Sequence, residues 1–202
     1  MSDHSIEYDL ILGKFKGMTV EKKIEGLLAL LPDLWCAKYR EMTPGKTNIL
    51  QFSDNRFEFL FDYSSELSAK GLVSGEDIVE DRVVAAYGRS QPNSTDRDAT
   101  RMRGFIGPTS IVFRKNYDKG HFLGHALGGG LDVNLFPQRR EINRGWSARG
   151  KVFREMERTC AENIGTFCFS RPIYSDSSWY PCEIEYGLLL RDGTFWIEQF
   201  EN

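Results

Sequence analysis

The sequence predicts an α+β fold: a helix and β-hairpin first, then an antiparallel sheet with a second long helix set before its last strands. Three observations carry this. Residues 19–31 repeat apolar side chains at helical spacing, aromatic and β-branched runs flank short turns near residues 53–56 and 191–193, and Val152, Met156 and Cys160 return to a helical period.

In the first helix Val20, Ile24, Leu27, Leu28 and Leu31 form the apolar stripe, Thr19 is the expected N-cap, and Pro32 is expected to end it. Ile49 to Phe52 and Phe57 to Tyr63 enclose Ser53-Asp54-Asn55-Arg56 and read as a hairpin that covers one side of the core. Ile78 to Tyr87 alternates as a strand, Gly88 to Thr100 is polar and reads as a loop, and Thr109 to Phe113 reads as a short strand running to Asp118. The second helix follows Gly145 and stops at Gly165. Strands near Phe167 to Ile173, Cys182 to Leu190 and Thr194 to Phe200 complete the chain, the last two joined through Arg191-Asp192-Gly193. A boundary near residue 72 divides a helix and hairpin region, 1–72, from a second region, 73–202.

Composition bounds the function. At 202 residues and 41% apolar content the chain can bury a full core. No apolar run approaches the roughly 20 residues that span a bilayer, and Met1 to Lys16 has no apolar core with a cleavage site, so the expectation is a protein of the cytoplasm, or one delivered from it, without a membrane partner. Four cysteines, Cys36, Cys160, Cys168 and Cys182, form no C-x-x-C pair. Reduced thiols are expected, with a Cys168–Cys182 disulfide open only in oxidising surroundings. The net charge of −3 is unevenly spread: residues 96–158 hold 13 Lys and Arg against 7 Asp and Glu. That cationic excess suits a polyphosphate partner.

The same segment carries Asp118-Lys119-Gly120-His121, then Gly128-Gly129-Gly130, Asn134-Leu135-Phe136-Pro137-Gln138 and Asn143-Arg144-Gly145. Read in order as D-K-G-H, N-L-F-P-Q and I-N-R-G, it resembles the DNA/RNA non-specific endonucleases of the ββα-metal type, in particular their toxin-like branch. The resemblance implies a ββα-metal core on the antiparallel sheet and a metal-dependent endonuclease acting on DNA, RNA or both, leaving 5′-phosphate ends. A delivered effector, restrained in its producer by an immunity protein, is a further implication. Oligomeric state is open.

Phosphodiester hydrolysis needs an activated water, charge relief at phosphate and help for the leaving oxygen. His121 is the candidate general base, because an unperturbed histidine titrates near about 6.5 and is available neutral at physiological pH. Asp118 or a backbone carbonyl would orient its ring. By resemblance Asn143 holds the divalent metal, and one neutral oxygen ligand suits Mg²⁺, or Mn²⁺, which keeps most of its waters. Asn134 is expected to shape the loop. The family's glutamate on the next helix corresponds to Glu157, a second candidate at the metal, but it lies 14 residues beyond Asn143 instead of eight. One continuous helix would separate the two by about 21 Å. A loop from Gly145 to Gly150, with the helix starting near Lys151, would bring Glu157 back; otherwise it is a solvated helix residue. Lys119 stands where the family has arginine and keeps the charge without the bidentate fork. Arg144, Arg139, Arg140 and Arg149 are the candidate phosphate contacts, with Arg101 or Arg103 upstream. Trp146, Phe122 and Phe136 are candidates for base stacking or for core packing.

Two other readings remain: a catalytically inactive nuclease-fold binding module, and a zinc hydrolase using His121 and His125. Phe122 stands where H-E-x-x-H requires glutamate, which counts against the zinc reading.

Overall fold

The computed structural model describes residues 5–92 and 114–202. Its centre is a six-stranded antiparallel sheet in the order β1-β2-β3-β6-β7-β8, where β1 is Ile49–Asp54, β2 Phe57–Asp62, β3 Arg82–Arg89, β6 Phe167–Ile173, β7 Glu183–Leu189 and β8 Phe195–Glu201. A separate two-stranded ribbon pairs β4, Tyr117–His121, with β5, Leu135–Arg139. The helices are α1 (Tyr8–Gly13), α2 (Val20–Met42), α3 (Ser64–Ala69), α4 (Arg140–Asn143) and α5 (Ala148–Glu162). No helix among the described residues is long and apolar enough to cross a membrane.

Thr19 caps α2, its side chain accepting from the Lys22 N–H. The helix does not end at Pro32, as expected from sequence, but runs through it for ten more residues. The apolar stripe explains this: Trp35, Cys36 and Tyr39 extend the row of Leu27 and Leu31 and pack on Val84, Tyr87 and Phe169 of the sheet. Burial of that row outweighs the roughly 3 kcal/mol penalty of an interior proline.

The expected hairpin forms, with Asn55 and Arg56 at φ 48° and 64°. Two positive φ values at a two-residue turn match the right-handed twist of the strands. β3 begins at Arg82, later than the alternation suggested, and Val84 is an extra residue where Leu60 pairs with Ala85 and Phe61 with Val83. Val84 and Ala85 therefore both face α2. Because β2 pairs with β3, the sheet is continuous across residue 72. The strand expected at Thr109 to Phe113, most of the loop to Thr100, and Arg101 and Arg103 lie outside the described residues.

Helix α2 covers one face of the sheet; α5 and the β4–β5 ribbon pack on the other through Phe122, Phe136, Phe153, Met156 and Cys160. With both faces covered, β6 is buried at all seven positions. Two polar clusters lie on the α2 side. Arg171 and Glu185 face each other across β6 and β7 at 2.7 Å, and the Tyr8 hydroxyl donates to Glu185 while Trp35 Nε1 donates to Tyr8 Oη at 3.0 Å. Nearby, Tyr39 Oη donates to Asp62 and receives Arg82 Nε, both at 2.8 Å.

The disulfide considered for Cys168 and Cys182 is not formed, and all four thiols are free. The ladder explains why: Cys168 pairs with Leu188 in mid-strand, whereas Cys182 precedes β7 and its Sγ contacts the Ile173 carbonyl at 3.3 Å.

Candidate active site

The ribbon sets the first part of the site. β4 pairs with β5 from Tyr117–Arg139 to His121–Leu135, so His121 ends this strand and is mostly buried. Beyond it Phe122 and Leu123 enter the core, where Phe122 stacks on Phe136 at 4.3 Å. These two rings are core groups, not stacking surfaces for a ligand.

The loop after His121 is held by Asn134, which is fully buried. Its Oδ1 accepts from Leu123 N–H at 3.0 Å, and its Nδ2 donates to the carbonyls of Leu123 and Gly130, each at 2.8 Å. Gly129 allows this closure, since a Cβ there would lie 1.8 Å from the Leu123 carbonyl oxygen. Asn134 thus shapes the loop, as its place in the sequence suggested. Asn134→Ala is expected to destabilise the protein by about 2–3 kcal/mol, because Leu123 and Gly130 lose partners in a buried place. Urea denaturation measures this, and a change below about 0.5 kcal/mol would contradict it.

The second part comes from α4 and α5. Asn143 ends α4, the chain turns through Gly145, and Ser147 caps α5 by accepting from the Gly150 N–H at 2.9 Å. The break between helices therefore falls at 144–147 and α5 starts at Ala148, three residues before the expected Lys151. The two helices touch closely: a Cβ on Gly150 would stand 2.2 Å from the Glu141 carbonyl oxygen. With this fold-back Asn143 and Glu157 are not on one continuous helix. His121, Asn143, Arg144 and Glu157 line one cleft of about 940 Å³. Glu157 Oε1 would lie 2.5 Å from a Cβ on Gly124, and Arg154 donates to the other carboxylate oxygen at 2.7 Å.

Of the remaining candidates, Lys119 is half-buried on β4, outside the residues that line the cleft, and burial pushes its ammonium pKa down. Arg139 pairs with Glu201 at 2.9 Å, and Arg149 reaches Glu198 at 2.9 Å and the Gln199 carbonyl at 2.6 Å. Both are thereby directed to β8 and neither lines the cleft. Arg140 and Arg144 converge on Asp118: Arg140 Nε donates at 3.1 Å, and Arg144 donates at 2.6 and 3.1 Å. Asp118 is thus committed to these arginines. It was expected as one means of orienting His121.

Burial raises the Asp118 carboxyl, but the hydrogen bonds and charges of Arg144 and Arg140 outweigh burial and hold it below the ordinary range. A depressed folded value stabilises above the unfolded pKa of about 3.9, and the contribution is lost as pH falls through the folded value. Asp118→Asn is therefore expected to lower the melting temperature clearly at pH 7, with the gap from wild type closing toward pH 3. The same gap at both pH values would sink the assignment.

Sequence reasoning missed Lys151, Arg154 and Arg158, which line the cleft from α5. Their i, i+3, i+7 spacing places them on one helix face and was readable. His125 also lines the cleft, but from a 3₁₀ turn after the strand that ends at His121, so the two histidines do not share a helix face. Among the described residues no group of three or more His, Cys, Asp and Glu side chains is placed to hold a metal ion.

No family model matches this chain, and no match is found among curated proteins. The chain is similar to a solved structure of the Sda1 nuclease with bound zinc ion over 79% of this chain and 75% of that one, at a TM-score of 0.38 and 14% identity. So distant a likeness defines neither the fold family nor the chemistry.

Proposed function

We propose that this protein is a divalent-metal-dependent endonuclease of the ββα-metal type, hydrolysing phosphodiester bonds of DNA, RNA or both with little sequence preference. The observation that carries the proposal is the gathering of His121, Asn143 and Glu157, distant in sequence, around one cleft with Arg144, Lys151, Arg154 and Arg158. The ribbon of β4 and β5 followed by α4 and α5 has the ββα order that the motif implies.

In this reading His121 takes the proton from the attacking water. The Asn143 amide oxygen and the Glu157 carboxylate would hold Mg²⁺ or Mn²⁺; both are hard oxygen donors, and among the described residues no hydrogen bond engages the Asn143 side chain. When bound, the cation supplies charge relief at the scissile phosphate and at the leaving oxygen. Arg144, kept in place by Asp118, and the cations of α5 grip flanking phosphates. Such contacts position the strand without reading bases. The toxin-like resemblance extends the proposal to a delivered effector with an immunity protein as partner.

Digestion of supercoiled plasmid and structured RNA, with Mg²⁺ or with EDTA, tests the reading. Degradation only with metal is expected. Substrates left intact across Mg²⁺, Mn²⁺ and Zn²⁺ would overturn it in favour of an inactive binding module.

A further inference from the structure

Trp146 is the most exposed aromatic side chain among the described residues, at 64%, and belongs to neither core cluster. Its place is not incidental, because it follows Asn143, Arg144 and Gly145, all of which line the cleft. The Arg144 guanidinium lies 4.9 Å from the centre of the Trp146 ring. That guanidinium is itself fixed by two hydrogen bonds to Asp118, at 2.6 and 3.1 Å. A cation held against an indole orients the ring and strengthens its stacking. A large aromatic surface is thus presented to solvent against Arg144, itself one of the residues that line the cationic cleft.

We infer that Trp146 is a stacking platform for a nucleobase, and that it directs this protein toward unpaired nucleic acid. The inference rests on the nuclease reading for the site's substrate but uses a residue outside the catalytic set. A base inside a duplex already has both faces stacked, so an indole can receive one only from a single strand, an end or a loop, or after a costly extrusion. Stacking tolerates any base, in keeping with a cleft that otherwise contacts phosphates. Arg144 would then serve twice, bracing the ring and binding the phosphate beside the stacked base.

The test compares Trp146→Ala and Trp146→Phe with wild type on a labelled single-stranded DNA oligonucleotide and on the same strand annealed to its complement. With Mg²⁺, Trp146→Ala is expected to lower kcat/KM on the single strand about tenfold. The duplex should change by less than about twofold, and Trp146→Phe should restore most of the loss. Equal losses on both substrates, or none on either, overturn the inference. A second arm measures binding of the single strand by fluorescence anisotropy in EDTA, without any catalysis. Binding about tenfold weaker in Trp146→Ala supports stacking even if wild type cuts nothing, in which case only the nuclease reading falls. Equal binding by the two proteins removes the platform, and leaves Trp146 as a surface for a protein partner.

Discussion

His121→Ala is expected to reduce cleavage of plasmid and RNA by about a thousandfold at saturating Mg²⁺, within the range that a positioned general base contributes. In the proposed mechanism alanine leaves the water without a proton acceptor while Asn143, Glu157 and the cations of α5 stay in the cleft. Substrate affinity should therefore be nearly unchanged, and the loss should fall on kcat. His121 terminates β4, and the loop beyond it is anchored independently by Asn134, so the variant should still fold. Single-turnover cleavage and a melting curve measure the two quantities separately. A variant that is folded and retains more than about a tenth of wild-type activity would remove His121 as the base.

Glu185→Ala has the largest expected effect on stability. Arg171 and Glu185 are 4% and 3% exposed and meet at 2.7 Å in the middle of the sheet, with Tyr8 also donating to the carboxylate. Removing the carboxylate leaves the Arg171 guanidinium buried beside the Tyr8 hydroxyl without its anionic partner. Breaking such a pair from one side costs about 3–5 kcal/mol, which for a chain of this size lowers the melting temperature by about 10 °C. Replacing both partners, Arg171→Met with Glu185→Leu, removes the unpaired charge and is expected to cost less than the single change. Thermal denaturation of the single and double variants decides this. A single variant no less stable than the double would show that the buried guanidinium left by Glu185→Ala is not the source of the loss.

These two groups differ in how readable they were. His121 was identified from the order D-K-G-H, a property of neighbouring residues; the strand expected before it, Thr109 to Phe113, lies outside the described residues, and β4, which carries His121 through its pairing with β5, was not expected. Arg171 and Glu185 carried no signal, since their opposition depends on the register of β6 against β7. The second helix and the last three strands were likewise readable within a few residues, their periods being local. Pro32 was misread because a local penalty was weighed without the sheet that Trp35 and Tyr39 cover.

Within the site, residue type and order in the chain were enough to nominate His121, Asn143, Glu157 and Arg144, and the helical spacing of Lys151, Arg154 and Arg158 was available though unused. The cleft itself was not. Whether Glu157 lay about 21 Å along one helix from Asn143 or on the same cleft turned on a reversal at residues 144–147 and on the bare Gly150 backbone that lets α5 lie against Glu141. The same holds for Arg139 and Arg149, which match Arg144 in charge but are drawn to Glu201 and Glu198 on β8. Periodicity, capping and motif order are properties of neighbouring residues and survive in the sequence alone. Which charges converge and which are neutralised depends on contacts between segments far apart in the chain, and only the packed tertiary structure decides them.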